Sequence, residues 1–218
     1  MSELLRFIVS QNVDINTVYL LLALPAVATL IAGVRQVIGI KSFGIYAPLV
    51  LTFAFWATGL KYGLAIFCVI LVTGTLMRYF LQRVRLLYMP RMAIVLSVIS
   101  VVSLALLALG GWLGKFGLAS VSILPILIMI TLIEKFISAQ VEKGVRNAAF
   151  LSLETVLISV AGYGLLISAR FRAFVLDYPE YLLGLILVNV LLGKWTGLRL
   201  TEYLRFRNVI KNVEADQK

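Results

Sequence analysis

The sequence predicts an all-α polytopic membrane protein, a bundle of seven transmembrane helices with its N-terminus outside and its C-terminus in the cytoplasm. Three observations carry this. Of 218 residues, 61% are hydrophobic and 14% charged, where soluble domains carry about a quarter charged residues, and a chain this short has too little interior to hide so much apolar surface from water. The apolar residues fall into seven runs near the ~20 residues needed to cross ~30 Å of hydrocarbon. Lysine and arginine are concentrated in alternate connectors.

The runs are residues 17–34, 42–60, 62–77, 92–114, 116–133, 147–169 and 178–193. The first contains Ala26-Val27-Ala28, which superficially fits a signal-peptidase site, but Glu3, Arg6 and Asp14 before it lack the usual basic bias, so it reads as a retained helix. The second and third are separated by little more than Gly59-Leu60-Lys61-Tyr62-Gly63, whose glycines allow a tight reversal and whose lysine can snorkel; they predict a helical hairpin. The seventh has the shortest uncharged centre, 181–193, bounded by Glu180 and Lys194 at opposite interfaces, with Tyr178, Tyr181 and Trp195 as belt aromatics. The organisation expected is an extracytoplasmic segment 1–16, a membrane domain 17–198 and a basic cytoplasmic tail 199–218. No loop is long enough to form a soluble catalytic domain.

Orientation follows from the basic residues. Arg6, Lys61, Lys115, Arg170 and Arg172 fall on one side of a seven-span chain and the other fifteen on the opposite side, which places the C-terminus in the cytoplasm and the N-terminus outside. If the second run were re-entrant the split would be 14 to 6; the C-terminus would stay inside and the N-terminus would change side. Length favours seven spans.

Composition excludes several chemistries. The chain has no histidine and one cysteine, Cys68, inside an apolar run, which removes histidine-based nucleophile pairs and proton relays, thiolate zinc sites and intrachain disulfides. No catalytic residue, metal site or cofactor is expected. The net charge of +10 in so apolar a chain points to orientation and anionic headgroups, not nucleic acid.

Among polar residues, Glu154 stands two turns inside the sixth run, at a depth where an ionised carboxylate costs on the order of 3 kcal/mol. It is expected to face the bundle with a partner, or to be protonated, serving either a substrate, cation or proton site or an interhelical bond. Asn189 is a plausible partner at comparable depth, or interhelical glue. Lys41, within Gly39-Ile40-Lys41-Ser42-Phe43-Gly44, belongs either to an anion-binding loop or to a connecting turn. Glu134 and Glu142 are expected on an exposed cytoplasmic connector, Arg91 on a basic amphipathic connector with Arg83 and Arg85, and Lys194, Arg199, Glu202, Arg205 and Arg207 on a basic helix after the last span. These positions suit either an anionic membrane surface or a docking protein. Gly110, Gly111, Gly114, Gly162 and Gly164 are expected to permit close helix contact.

The motifs Gly39-Ile40-Lys41-Ser42-Phe43-Gly44-Ile45-Tyr46-Ala47-Pro48, Leu86-Leu87-Tyr88-Met89-Pro90-Arg91, Ile133-Glu134-Lys135-Phe136, Glu142-Lys143-Gly144 and the stretch from Leu192 to Arg207 together resemble the bacterial seven-helix membrane domain usually fused behind an inactive transglutaminase-like domain. The glycine-then-proline entry to the second run is more distantly similar to the small membrane subunit of poly-gamma-glutamate capsule synthases. The resemblance implies the bacterial inner membrane and a partnership with a cytoplasmic ATP-grasp ligase resembling glutamate ligases. Only some 16 residues precede the first run, so the expectation is a transglutaminase-like partner on a separate periplasmic polypeptide, or a stand-alone membrane module.

The function expected is therefore a non-catalytic membrane subunit that anchors or organises a peptide- or amino-acid-ligating complex, with a further implied role in product export. The alternative is a proton- or cation-coupled secondary transporter using Glu154, against which an odd number of spans weighs modestly. An enzyme using Glu134 and Glu154 as an acid-base pair ranks third.

Overall fold

The computed structural model describes residues 10–84, 86–112, 114 and 121–194. Among these, regular structure is entirely helical: α1 (Ile15–Gly33), continued by a π turn (Val34–Ile38), α2 (Tyr46–Thr58), α3 (Leu60–Leu81), α4 (Tyr88–Trp112), α5 (Ile123–Lys143), α6 (Val145–Ile167), α7 (Ala169–Asp177) and α8 (Tyr181–Gly193). Each of the seven apolar runs overlaps a helix. Five helical stretches are long and apolar enough to cross a membrane individually, α1 with its π turn, α3, α4, α5 and α6; α7 and α8 together make a sixth candidate, bent by 106°. Helix α2, with 13 residues, extends only about 20 Å.

Proline placement explains several boundaries. Pro48, Pro90 and Pro125 each lie third in α2, α4 and α5, where backbone N–H groups have no intrahelical acceptor and a missing donor costs nothing. Pro25 is the exception, lying mid-helix in α1. The π turn closes through Gly39, whose N–H reaches the Val34 carbonyl at 3.1 Å with φ of +89°. Two expected connectors are shorter than the sequence suggests. Tyr88-Met89-Pro90-Arg91 forms the first turn of α4, and α5 runs on to Lys143, so that Gly144, at φ +82°, is all that separates α5 from α6. The expected start of the fifth run at 116 lies outside the described residues. The segment around Arg170 and Arg172, expected as a loop, is the short helix α7.

The chain divides into two compact units. In residues 46–163, α3 packs against α2, α4 and α5, and α5 also packs against α2 and α4. Gly74 of α3 lies against Ile133 of α5, whose Cγ1 would stand 3.2 Å from an added Cβ. Helix α6 is joined to α2 by hydroxyls: Thr52 Oγ1 lies 2.8 Å from the Pro48 carbonyl and 3.2 Å from the Ser159 carbonyl, and Ser159 Oγ lies 3.1 Å from the same Pro48 carbonyl. Close approach is thus served by Gly63 and Gly74, while Gly164 has nothing within 4 Å of an added Cβ and Gly114, at φ +67°, lies in a turn.

The other unit comprises residues 1–45 and 164–218; in it α1 packs against α7 and α8. Asp14 caps α1 by accepting from the Asn16 N–H at 3.2 Å. The buried Tyr19 donates to the Leu166 carbonyl at 2.7 Å, and the Arg172 guanidinium lies 5.4 Å from the Tyr19 ring centroid while donating to Asn16 Oδ1 at 2.9 Å. Tyr181 donates to the Leu22 carbonyl at 2.5 Å. Each tyrosine thus places an apolar ring between helices and gives its hydroxyl an acceptor.

Candidate functional site

Within residues 46–163, α3 ends, α4 begins and α5 ends around one open cavity of about 410 Å³, a volume within the range of small-ligand sites. Helical spacing builds it. Arg78 and Gln82 are one turn apart on α3; Tyr88, Arg91, Met92 and Val95 share a face of α4; Ile137, Ser138, Val141 and Glu142 share a face of α5.

The arginines define its chemistry. Arg78 Nη1 donates to Gln140 Oε1 at 2.8 Å, and the Gln140 amide donates to Thr75 Oγ1 at 3.1 Å. Gln140 is only 1% exposed, so the guanidinium is aimed by a buried amide that is itself held by α3. Arg91 Nη2 donates to the Leu86 carbonyl at 3.2 Å, fixing it at the start of α4. Both Nε atoms, Arg78 and Arg91, are buried without a hydrogen-bond partner. Such an unmet donor costs about 1–3 kcal/mol, and more when charged. Among the described residues no carboxylate forms an ion pair with either guanidinium. Tyr88 donates to Glu134 Oε1 at 2.9 Å. The site therefore offers two fixed cationic donors beside apolar walls, with Glu142 exposed at its rim. It can receive an anionic group.

The structure brings together three of the residues singled out from sequence, Arg91, Glu134 and Glu142, on helix ends and not on connectors. Arg78 and Gln140 escaped the sequence reading. The first looked like one more basic residue at a helix end and the second fell in an expected loop; the sole available signal was the separation of Arg78 and Gln82 by one helical turn. Glu154 lies nine residues into α6, about 13 Å from its first residue, half-buried and, among the described residues, without a hydrogen-bond or ion-pair partner. Asn189 donates to Thr29 Oγ1 at 2.8 Å and to the Leu185 carbonyl at 2.9 Å, which ties α8 to the Pro25 turn of α1, since Thr29 in turn donates to the Pro25 carbonyl. Lys41 is exposed, and the Ser42 hydroxyl beside it donates to the Gly44 carbonyl at 2.8 Å. Lys194 is exposed at the C-terminus of α8. Arg199, Glu202, Arg205 and Arg207 lie outside the described residues. Among the described residues no group of three or more potential metal ligands converges.

Residues 2–210 match the family described as seven transmembrane helices usually fused to an inactive transglutaminase. The chain belongs to this family. No curated protein and no solved structure matches it. Membership of the seven-helix family makes this a multi-pass membrane protein.

Proposed function

We propose that the protein is a non-catalytic subunit of the bacterial inner membrane that holds a cytoplasmic ATP-grasp, glutamate-ligase-like protein at the membrane, working with a transglutaminase-like domain on the periplasmic side and with a role in product export. The observation that carries this reading is the convergence of Arg78, Arg91, Glu134 and Glu142 on one end of three helices. Mixed charge suits a specific protein interface, where complementarity fixes register. In the sequence, Arg199, Glu202, Arg205 and Arg207 carry the same mixture of charge after the last span and are assigned to the same docking role. The test is co-purification in mild detergent with a co-expressed ligase-like partner. Reversing Arg199, Arg205 and Arg207 together is expected to abolish recovery while leaving membrane insertion intact; unchanged recovery sinks the idea.

A second reading, a proton- or cation-coupled transporter, is favoured by one observation: Glu154 stands well inside a spanning helix without a partner among the described residues. Its test is ion flux in proteoliposomes, which Glu154→Gln would abolish.

A further inference from the structure

We propose that the cavity between the ends of α3, α4 and α5 is a phosphate site, and that its occupant is the monoanionic phosphodiester of an acidic membrane lipid. This assignment does not depend on the docking role, since it concerns what Arg78 and Arg91 hold and not which protein approaches.

Two guanidiniums from different helices converge on one cavity, and each keeps a buried Nε–H without an acceptor. Neither is there by flexible chance: Arg78 is fixed through Gln140 and Thr75, and Arg91 through the Leu86 carbonyl. A fixed guanidinium recognises planar or tetrahedral oxyanions by directed donors, which a lysine cannot do. Phosphate fits better than carboxylate, because donors arriving from two helices need acceptors facing more than one way, and a carboxylate offers both oxygens in a single plane. Charge narrows the choice further. Glu134 is engaged by Tyr88 and does not line the cavity, so two arginines against the single carboxylate of Glu142 leave one positive charge in the lining, which matches a phosphodiester monoanion better than a doubly charged phosphate monoester. Met92, Val95, Ile137 and Val141 supply an apolar wall of the kind a glycerol backbone and the first methylenes of an acyl chain would cover. Helix dipoles do not decide the matter, since α4 begins at the site whereas α3 and α5 end there.

The test uses the full-length protein purified in mild detergent and measured by native mass spectrometry with added phosphatidylglycerol, phosphatidylcholine or inorganic phosphate. Wild type is expected to retain one phosphatidylglycerol at least about tenfold more strongly than phosphatidylcholine, and millimolar inorganic phosphate is not expected to displace it. Arg78→Gln and Arg91→Gln should each reduce retention about tenfold, whereas Arg83→Gln, which removes an exposed arginine stacked on Tyr79, should leave it unchanged. Arg78→Lys keeps the charge without the fork and should lose most of the preference; circular dichroism melting of each variant confirms that it is folded. Saturable binding of inorganic phosphate that depends on Arg78 and Arg91, without lipid retention, would keep the phosphate site but overturn its assignment to lipid. Equal retention of both lipids by wild type, or equal losses in Arg83→Gln and the pocket variants, would overturn the site itself.

Discussion

Thr52 of α2 and Ser159 of α6, 107 residues apart, both bring their hydroxyls within hydrogen-bond distance of the Pro48 carbonyl, Ser159 sharing its hydroxyl with the Thr155 carbonyl at 2.8 Å, and both are wholly buried. In a helix bundle surrounded by lipid, apolar contact alone does not discriminate one neighbour from another, so such hydroxyl bridges help select the pairing. Thr52→Val and Ser159→Ala should each destabilise the protein by about 0.5–1.5 kcal/mol, with the double variant losing less than the sum because the two share an acceptor. Unfolding in mixed micelles, followed by circular dichroism over the four-member cycle, measures this. Strict additivity would mean that the two hydroxyls act independently.

The glycines divide into two groups with opposite expected outcomes. A Cβ on Gly63 would collide with Thr58 Oγ1 and approach Phe55 Cδ1 to 2.8 Å, across the reversal between α2 and α3. Gly63→Ala should therefore destabilise by about 1–3 kcal/mol, the usual cost of overpacking. Gly164, with nothing within 4 Å, should accept alanine with no loss, since alanine is the better helix former. Comparing the melting temperatures of the two variants distinguishes close packing from mere glycine content.

The apolar runs locate α1, α3, α4 and α6 to within a few residues, because transfer to hydrocarbon depends on composition summed over a span. Helix ends are a different matter: at Glu134 the apolar run stops but the hydrogen-bonded ladder continues to Lys143, since a charged residue ends burial in lipid without ending a helix. Arg170 and Arg172 mislead in the same way over α7. The pocket was only half visible, through Arg91, Glu134 and Glu142. The contact that aims Arg78 joins residues 62 positions apart, and no local period encodes it.

Gln140 should behave as a positioning residue. Gln140→Ala removes the acceptor of Arg78 and the donor to Thr75 at a site with 1% exposure, and is expected to cost about 1–3 kcal/mol. Once Gln140 is gone, adding Arg78→Gln should cost little more, as expected for two members of one network. Thermal melts of the two single variants and the double variant check the coupling, and a sum of the two single losses would show that Gln140 does not orient Arg78.

Glu154 has no partner among the described residues to lose. Glu154→Gln should therefore leave yield and melting temperature within error of wild type, or raise them by removing a group that is costly to ionise in lipid. Expression level and melting in detergent measure this. Collapse of the folded protein would instead reveal an ion pair with a residue outside the described set.

The last prediction concerns topology, where length and charge pull apart. Helix α2, at 13 residues, covers about 20 Å and is short for ~30 Å of hydrocarbon. Family membership nevertheless counts seven helices, and the basic residues divide 15 to 5 if α2 crosses and 14 to 6 if it turns back. The C-terminus is cytoplasmic in both cases, and Lys61 is external in both. What differs is the N-terminus and the turn carrying Lys41, so those positions decide. Because Cys68 is the only cysteine, a Cys68→Ser background permits single-cysteine mapping with a membrane-impermeant maleimide on intact spheroplasts. If α2 crosses, Lys61→Cys should label from outside, Lys41→Cys should label only after the membrane is opened, and a periplasm-dependent reporter fused at Met1 should be active. A short helix can satisfy this arrangement by local thinning of the bilayer and snorkelling of flanking residues, at a cost of fractions of a kcal/mol for each of the ~10 Å of mismatch. Labelling of Lys41→Cys from outside, together with a cytoplasmic N-terminus, would instead identify α2 as re-entrant and reduce the crossings to six.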